Sequence, residues 1–203
     1  MVKQVFCFFL LTLLMVTSGF AEEGKYSNPT LGFSVIKPAD WTFITADENL
    51  DNIARSEFKD EATKEMLMKY ATAPLVAMTK YKEPYDDVNP SFKLNIKPLN
   101  NFDASNPKAI LEVVVAPMSK MFQDFEILQG PENTTINGRN AGYVRINYSM
   151  KVPDGRTFPI CSELWIIPRK NFFFMVGAGT RQDEKTGTRE EIKGILNGLI
   201  IEN

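Results

Sequence analysis

Chemistry near neutral pH usually needs a side chain that exchanges a proton there, and this chain of 203 residues contains no histidine. Ser-His-Asp and Cys-His catalysis, histidine-ligated zinc and imidazole proton relays are therefore excluded. Carboxylate, lysine or tyrosine chemistry remains, or binding without chemistry. The densest candidate is the stretch 81–90, Tyr-Lys-Glu-Pro-Tyr-Asp-Asp-Val-Asn-Pro. Its Tyr81, Tyr85, Asp86, Asp87 and Asn89 combine aromatic rings, acids and an amide on a loop, a composition suited to recognising a protein or a ligand. The competing reading is a solvated connection. Adjacent Asp86 and Asp87 suit a hard cation, but their spacing matches no known calcium cage, and no metal is expected. The acidic pairs Glu22-Glu23, Asp183-Glu184 and Glu190-Glu191 read as solvated or as helix-dipole partners. A catalytic carboxylate pair would have to meet across a cleft. Cys161 sits in a strand pattern and reads as a small apolar packing residue, with nothing nearby in sequence to activate it.

The elements that must position these groups are clearest in the last third of the chain. Val144, Ile146, Tyr148, Met150 and Val152 alternate with Tyr143, Arg145, Asn147, Ser149 and Lys151, the period of a strand. Pro153-Asp154-Gly155 is turn chemistry, and strands over 157–167 and 172–178 follow. With a three-residue loop, Val144 faces Leu164, Tyr148 faces Ile160, Met150 faces Phe158 and Tyr143 faces Trp165. Arg145 then faces Glu163, and an ion pair between them is expected. Asn137-Gly138 between two β-prone runs predicts a type I′ hairpin leading into this meander. The run Phe172-Phe173-Phe174 is expected in the core.

Earlier, residues 33–36 read as a strand after the turn 29–32, and Trp41 and Phe43 begin a second short extended piece. Residues 47–70 are expected to be helical, closed by Pro74. Strands are expected over 75–82 and 92–97, the second with one wet face. Ser105-Asn106-Pro107 starts a helix with a buried stripe of Ile110, Val113, Val114 and Met121, which Pro117 should split. Residues 125–129 form a short strand that Gly130-Pro131 stops. The last helix begins with a capping box, Thr188 to Glu191. Its stripe is Ile192, Ile195, Leu196 and Leu199, and Gly194 and Gly198 lie on one line that could allow close packing. The order describes an α+β fold, a mostly antiparallel sheet with helices covering its faces.

Residues 1–21 read as a cleaved export signal. Lys3 is followed by an apolar run of about 12 residues, short of the roughly 20 that span a bilayer, and Gly19-Phe20-Ala21 supplies small residues at the cleavage site. Residues 22–203 then form a single domain, long enough to build its own core and without a stable membrane span. The net charge of −2 offers no general attraction to nucleic acid, which is not an expected partner.

The pattern Tyr26, Leu31-Gly32-Phe33-Ser34-Val35, Lys37-Pro38 and Trp41, with Asn137-Gly138 before an aromatic-containing strand and a final amphipathic helix, resembles the PsbP-like and DcrB-like exported proteins. The resemblance implies an α/β/α sandwich, no catalytic residues, no cofactor, and an accessory or assembly role with a protein partner in the cell envelope. The expected function is thus a periplasmic or secreted, non-catalytic binding protein. The alternative is a carboxylate-dependent hydrolase or a cation-binding protein.

Overall fold

The computed structural model of the chain describes residues 24–45, 47–49, 51 and 74–202. The export-signal reading of residues 1–21 and most of the helical reading of 47–70 lie outside them; residues 47–49 and 51 are helical. Besides that helical stretch, the described residues form ten strands and three helices. They are β1 (Lys25–Asn28), β2 (Phe33–Ile36), β3 (Thr42–Phe43), β4 (Val76–Thr79), β5 (Ser91–Pro98), α1 (Pro107–Val115), α2 (Met118–Met121), β6 (Gln123–Ile136), β7 (Arg139–Lys151), β8 (Thr157–Pro168), β9 (Phe172–Arg181), α3 (Arg189–Asn197) and β10 (Ile200–Ile201).

Seven strands form one sheet in the order β3-β4-β5-β9-β8-β7-β6, and β1-β2-β10 form a second. Every neighbouring pair is antiparallel. Local turn chemistry decides the meander. Asn137 and Gly138 both take positive φ, 49° and 76°, as a type I′ turn demands. Gly155 has φ 89° and donates to the Val152 carbonyl, so the next loop is three residues long. Arg145 therefore lies opposite Glu163, Tyr143 opposite Trp165 and Val144 opposite Leu164, the register expected from the sequence.

Period-two alternation splits the core between the two faces of the large sheet. On one face, Phe92, Leu94, Trp165, Ile167, Phe174 and Val176 meet the small sheet and α3 through Phe33, Ile192, Ile195 and Leu199. On the other, Val144, Ile146, Ile160, Ile166 and Phe173 meet α1 through Ile110, Leu111 and Val115. The architecture is α+β and mostly antiparallel, but the expected helical layers are incomplete among the described residues. One face is covered by a small sheet as well as a helix. On the other, α1 contacts β6, β7 and β8, and among the described residues the loop 81–90 lies near the β5–β9 side.

Other sequence expectations are corrected. β6 does not stop at Gly130-Pro131 but runs through it, with register shifts between Ile127 and Gln129 and between Gln129 and Glu132. β6 is an edge strand, where bulges and a residue without an N–H are tolerated. The buried stripe of α1 is Ile110, Leu111 and Val115, whereas Val113 is 57% exposed. Ile-Leu-Glu-Val-Val-Val is apolar almost all round, so its period does not select a face. Pro117 does separate α1 from α2. Gly194 and Gly198 allow no close packing; a Cβ at Gly194 would meet nothing within 4 Å.

The close approach lies instead at Gly142, where a Cβ would stand 2.8 Å from the Pro107 carbonyl oxygen. That contact docks the start of α1 on β7. Gly142→Ala is expected to destabilise the fold by about 1–3 kcal/mol. Gly194→Ala, in open space within a helix, should stabilise it by about 0.5–1 kcal/mol. Urea midpoints of the two variants check both signs.

The ion pair expected between Arg145 and Glu163 does not form, although the two lie opposite each other. Glu163 is taken by Arg189 at the start of α3, with Nε at 2.9 Å and Nη2 at 3.0 Å, and by the Tyr143 hydroxyl. The Nε of Arg145 is buried without a hydrogen-bond partner among the described residues. Burial, and then hydrogen bonding to Glu163, pushes the Tyr143 phenol well above its ordinary value of 10.0. A raised folded value means the native state holds the proton more tightly. The stabilisation is complete below pH 10 and is lost as pH rises above it. Stability of the wild type should therefore fall more steeply with pH in the alkaline range than that of Tyr143→Phe.

Candidate functional site

The loop 81–90 is a folded unit rather than a free connection. Asn89 closes it by accepting from the Tyr81 amide at 3.0 Å and donating to the Tyr81 carbonyl at 2.8 Å. The Asn89 amide also donates to Glu83 Oε1, and the other Glu83 oxygen accepts from the Tyr85 amide. Tyr81 and Tyr85 stack, with ring centroids 4.4 Å apart, and the Glu83–Pro84 peptide is cis. Burial raises the Tyr85 phenol above the usual range.

Long-range contacts then fasten the loop to the meander. The Tyr81 hydroxyl donates to the Thr186 carbonyl at 2.8 Å, and the Thr186 hydroxyl to the Val88 carbonyl at 2.6 Å. Asp86 takes Arg156 Nη2 at 2.8 Å, and that guanidinium also holds Asp154. Asp87 takes Arg181 Nη1 at 2.6 Å, and Arg181 also holds Asp183 at 2.8 Å. Hydrogen bonding to Arg181 holds the Asp183 carboxyl well below the usual carboxylate range. Asp86 and Asp87 thus turn to different arginines instead of sharing a cation, and the residue pattern that suggested a cation is explained by ion pairing.

Beneath this loop is a cavity of about 880 Å³. Among the described residues it is bounded by the segment 83–89, the turn 152–156 and the sheet face beside α1. Tyr85, Asp86, Asp87 and Asn89 all line it, whereas Tyr81 stands behind Tyr85 as its stacking partner. The floor is partly apolar, with Phe158, Ile160, Leu164 and Met175. It is deep because Gly177 and Gly179 on β9 carry no side chain and Ser91 and Ser162 carry short ones. Glycine inside a strand marks such a place of close approach.

Lys93 was legible in the sequence only as a polar residue on the wet face of β5. In the structure it lines the cavity. Lys93 is partly exposed, and burial pushes its pKa below the ordinary lysine value; Glu83 partly offsets this. Arg156 also lines the cavity, just after the turn residues Pro153-Asp154-Gly155. The strand glycines Gly177 and Gly179 were the one local signal that could have pointed to the floor. Cys161 is buried, and burial raises its thiol, which leaves it a packing residue.

No protein-family model matches this chain, and no curated protein matches it in sequence. Solved structures do. LpqN, involved in cell envelope biogenesis of Mycobacterium tuberculosis, superposes with a TM-score of 0.53 at 14% identity over 88% of each chain. The cyanobacterial PsbP of Synechocystis sp. PCC 6803 is matched with a TM-score of 0.49 at 12% identity, over 88% of this chain and 91% of that one. At 14% identity the likeness to LpqN is one of fold alone. Among the described residues no helix is long and apolar enough to cross a membrane.

Proposed function

We propose that this chain is an exported, non-catalytic binding protein of the cell envelope, with residues 1–21 as its signal and 22–203 as its one domain. It holds a small ligand in the cavity beneath the loop 81–90, and the loop carries the contacts to a protein partner. The observation that carries this reading is the cavity itself. Its volume lies within the roughly 300–1,000 Å³ of ordinary ligand sites, and its apolar floor is ringed by a few fixed polar groups. The role of LpqN in envelope biogenesis agrees with an exported protein.

The alternative of a carboxylate-dependent hydrolase has less support. Asp86, Asp87 and Asp154 are each held by an arginine, and Glu83 by backbone and amide donors. A carboxylate so engaged is committed to positioning the loop, and proton transfer would have to break those contacts first.

Filling the floor tests the reading. A Cβ at Gly177 would lie 3.4 Å from Leu164, an ordinary contact, so Gly177→Leu should fold and project its side chain into the cavity. The wild type should brighten the uncharged dye Nile red at micromolar protein, and Gly177→Leu should lose at least tenfold in dye affinity, as expected when a pocket is blocked. Equal dye binding by a folded Gly177→Leu would remove the cavity from consideration.

A further inference from the structure

The cavity has an uneven chemistry that narrows what it can hold. Register pairs align Thr79, Ser91, Gly179 and Ser162 in one row across four strands. The next row on the same face is Ala77, Lys93, Gly177 and Leu164. Side chains standing on a sheet normally lean on their neighbours in such rows. Lys93 stands between an alanine and a glycine and has no long neighbour across either strand. Lys93 lines the cavity, and no hydrogen bond or ion pair to its ammonium exists among the described residues. Glu83 acts on it only at a distance, with both carboxylate oxygens engaged by Asn89 and Tyr85. The other cation among the described lining residues, Arg156, is already matched by Asp86 and Asp154.

A partly desolvated charge without a partner is unfavourable, and such a group lining a cavity marks a candidate ligand site. We propose that the cavity binds a small organic anion with an apolar body, a carboxylate or similar monoanion. Its head group pairs with Lys93 Nζ, and its body lies against Phe158, Ile160, Leu164 and Met175. This rests on the binding role given above and adds the ligand class to it. A cation would meet Lys93 as a like charge. A neutral ligand of the same shape would leave the ammonium unpaired.

Isothermal titration of the full chain with decanoate, decanol and decylammonium separates the cases. Decanoate should bind about tenfold or more tighter than decanol, the worth of one charge-assisted hydrogen bond, and decylammonium should bind more weakly than either. Lys93→Met, close in shape but uncharged, should lower decanoate affinity to that of decanol. Its melting temperature should equal or exceed the wild type, because it removes an unpaired charge; a structural lysine would give the opposite. Lys93→Gln serves as a second variant with the same expectation. Equal affinity for decanol and decanoate, or undiminished decanoate binding by Lys93→Met, overturns the anion assignment and leaves the binding role standing. No binding of any of the three overturns both.

Discussion

Glu163→Ala is expected to cost about 3–5 kcal/mol of folding stability, the loss typical of breaking a buried ion pair by removing one partner. Glu163 is 4% exposed in the middle of β8. Its two oxygens accept from both Nε and Nη2 of Arg189 and from the Tyr143 hydroxyl. Removing the carboxylate leaves the Arg189 guanidinium, whose side chain is 24% exposed, and the buried Tyr143 phenol without their shared acceptor. Hydrogen bonding to Glu163 is also the chief cause that raises the Arg189 guanidinium above its usual range. The consequence extends beyond one side chain. α3 is held to the large sheet by Ile192 and Ile195 on its apolar side and by this pair at its first residue.

A double-mutant cycle between Glu163 and Arg189 should show strong coupling. The cycle between Glu163 and Arg145 should show little, although those two stand directly opposite in the β7–β8 register. Arg189→Met with Glu163→Leu should recover much of the loss, because an apolar pair of similar volume has no unpaired charge. Urea denaturation of the singles and the double measures it. A Glu163–Arg145 coupling as large as that of Glu163–Arg189 would overturn the assignment of partners.

Phe174→Ala should be comparably severe, at about 3–5 kcal/mol, as for other fully buried aromatic truncations. Phe174 is 0% exposed on β9. It meets Phe33 of β2 edge-on, with ring centroids 5.5 Å apart, and Phe172 edge-on at 5.2 Å. It therefore joins the large sheet to the small one, and its loss opens a void that neither sheet can close alone. Phe172 is only half-buried, so Phe172→Ala should cost clearly less. Amide exchange should also quicken at Val35, which is packed in the same cluster. A Phe174→Ala effect no larger than that of Phe172→Ala would show that the small sheet is held by other contacts.

Neither effect follows from local sequence, and the contrast is instructive. Glu163 was correctly placed opposite Arg145, because register depends on turn length and alternation, which act within a few residues. Its partner was misassigned because Arg189 lies 26 residues further along, across a helix start. The loop residues show the same division. Asp86 and Asp87 were legible as acids on a loop, but the arginines that hold them are 70 and 94 residues away.

What the sequence by itself determined is the part of the fold governed by short-range physics. That part includes the type I′ turn at Asn137-Gly138, the three-residue loop with Gly155, the Thr188–Glu191 capping box and the Asn106 cap. The meander and its register also belong to it. What only the tertiary structure decided is the exposed face of α1, the run of β6 past Gly130-Pro131, the partner of Glu163 and the cavity. A hollow on a sheet face is made by small residues that are neighbours in space. Thr79, Ser91, Ser162 and Gly179 come from four strands and adjoin only once β5 pairs with β9, a contact that no local pattern specifies.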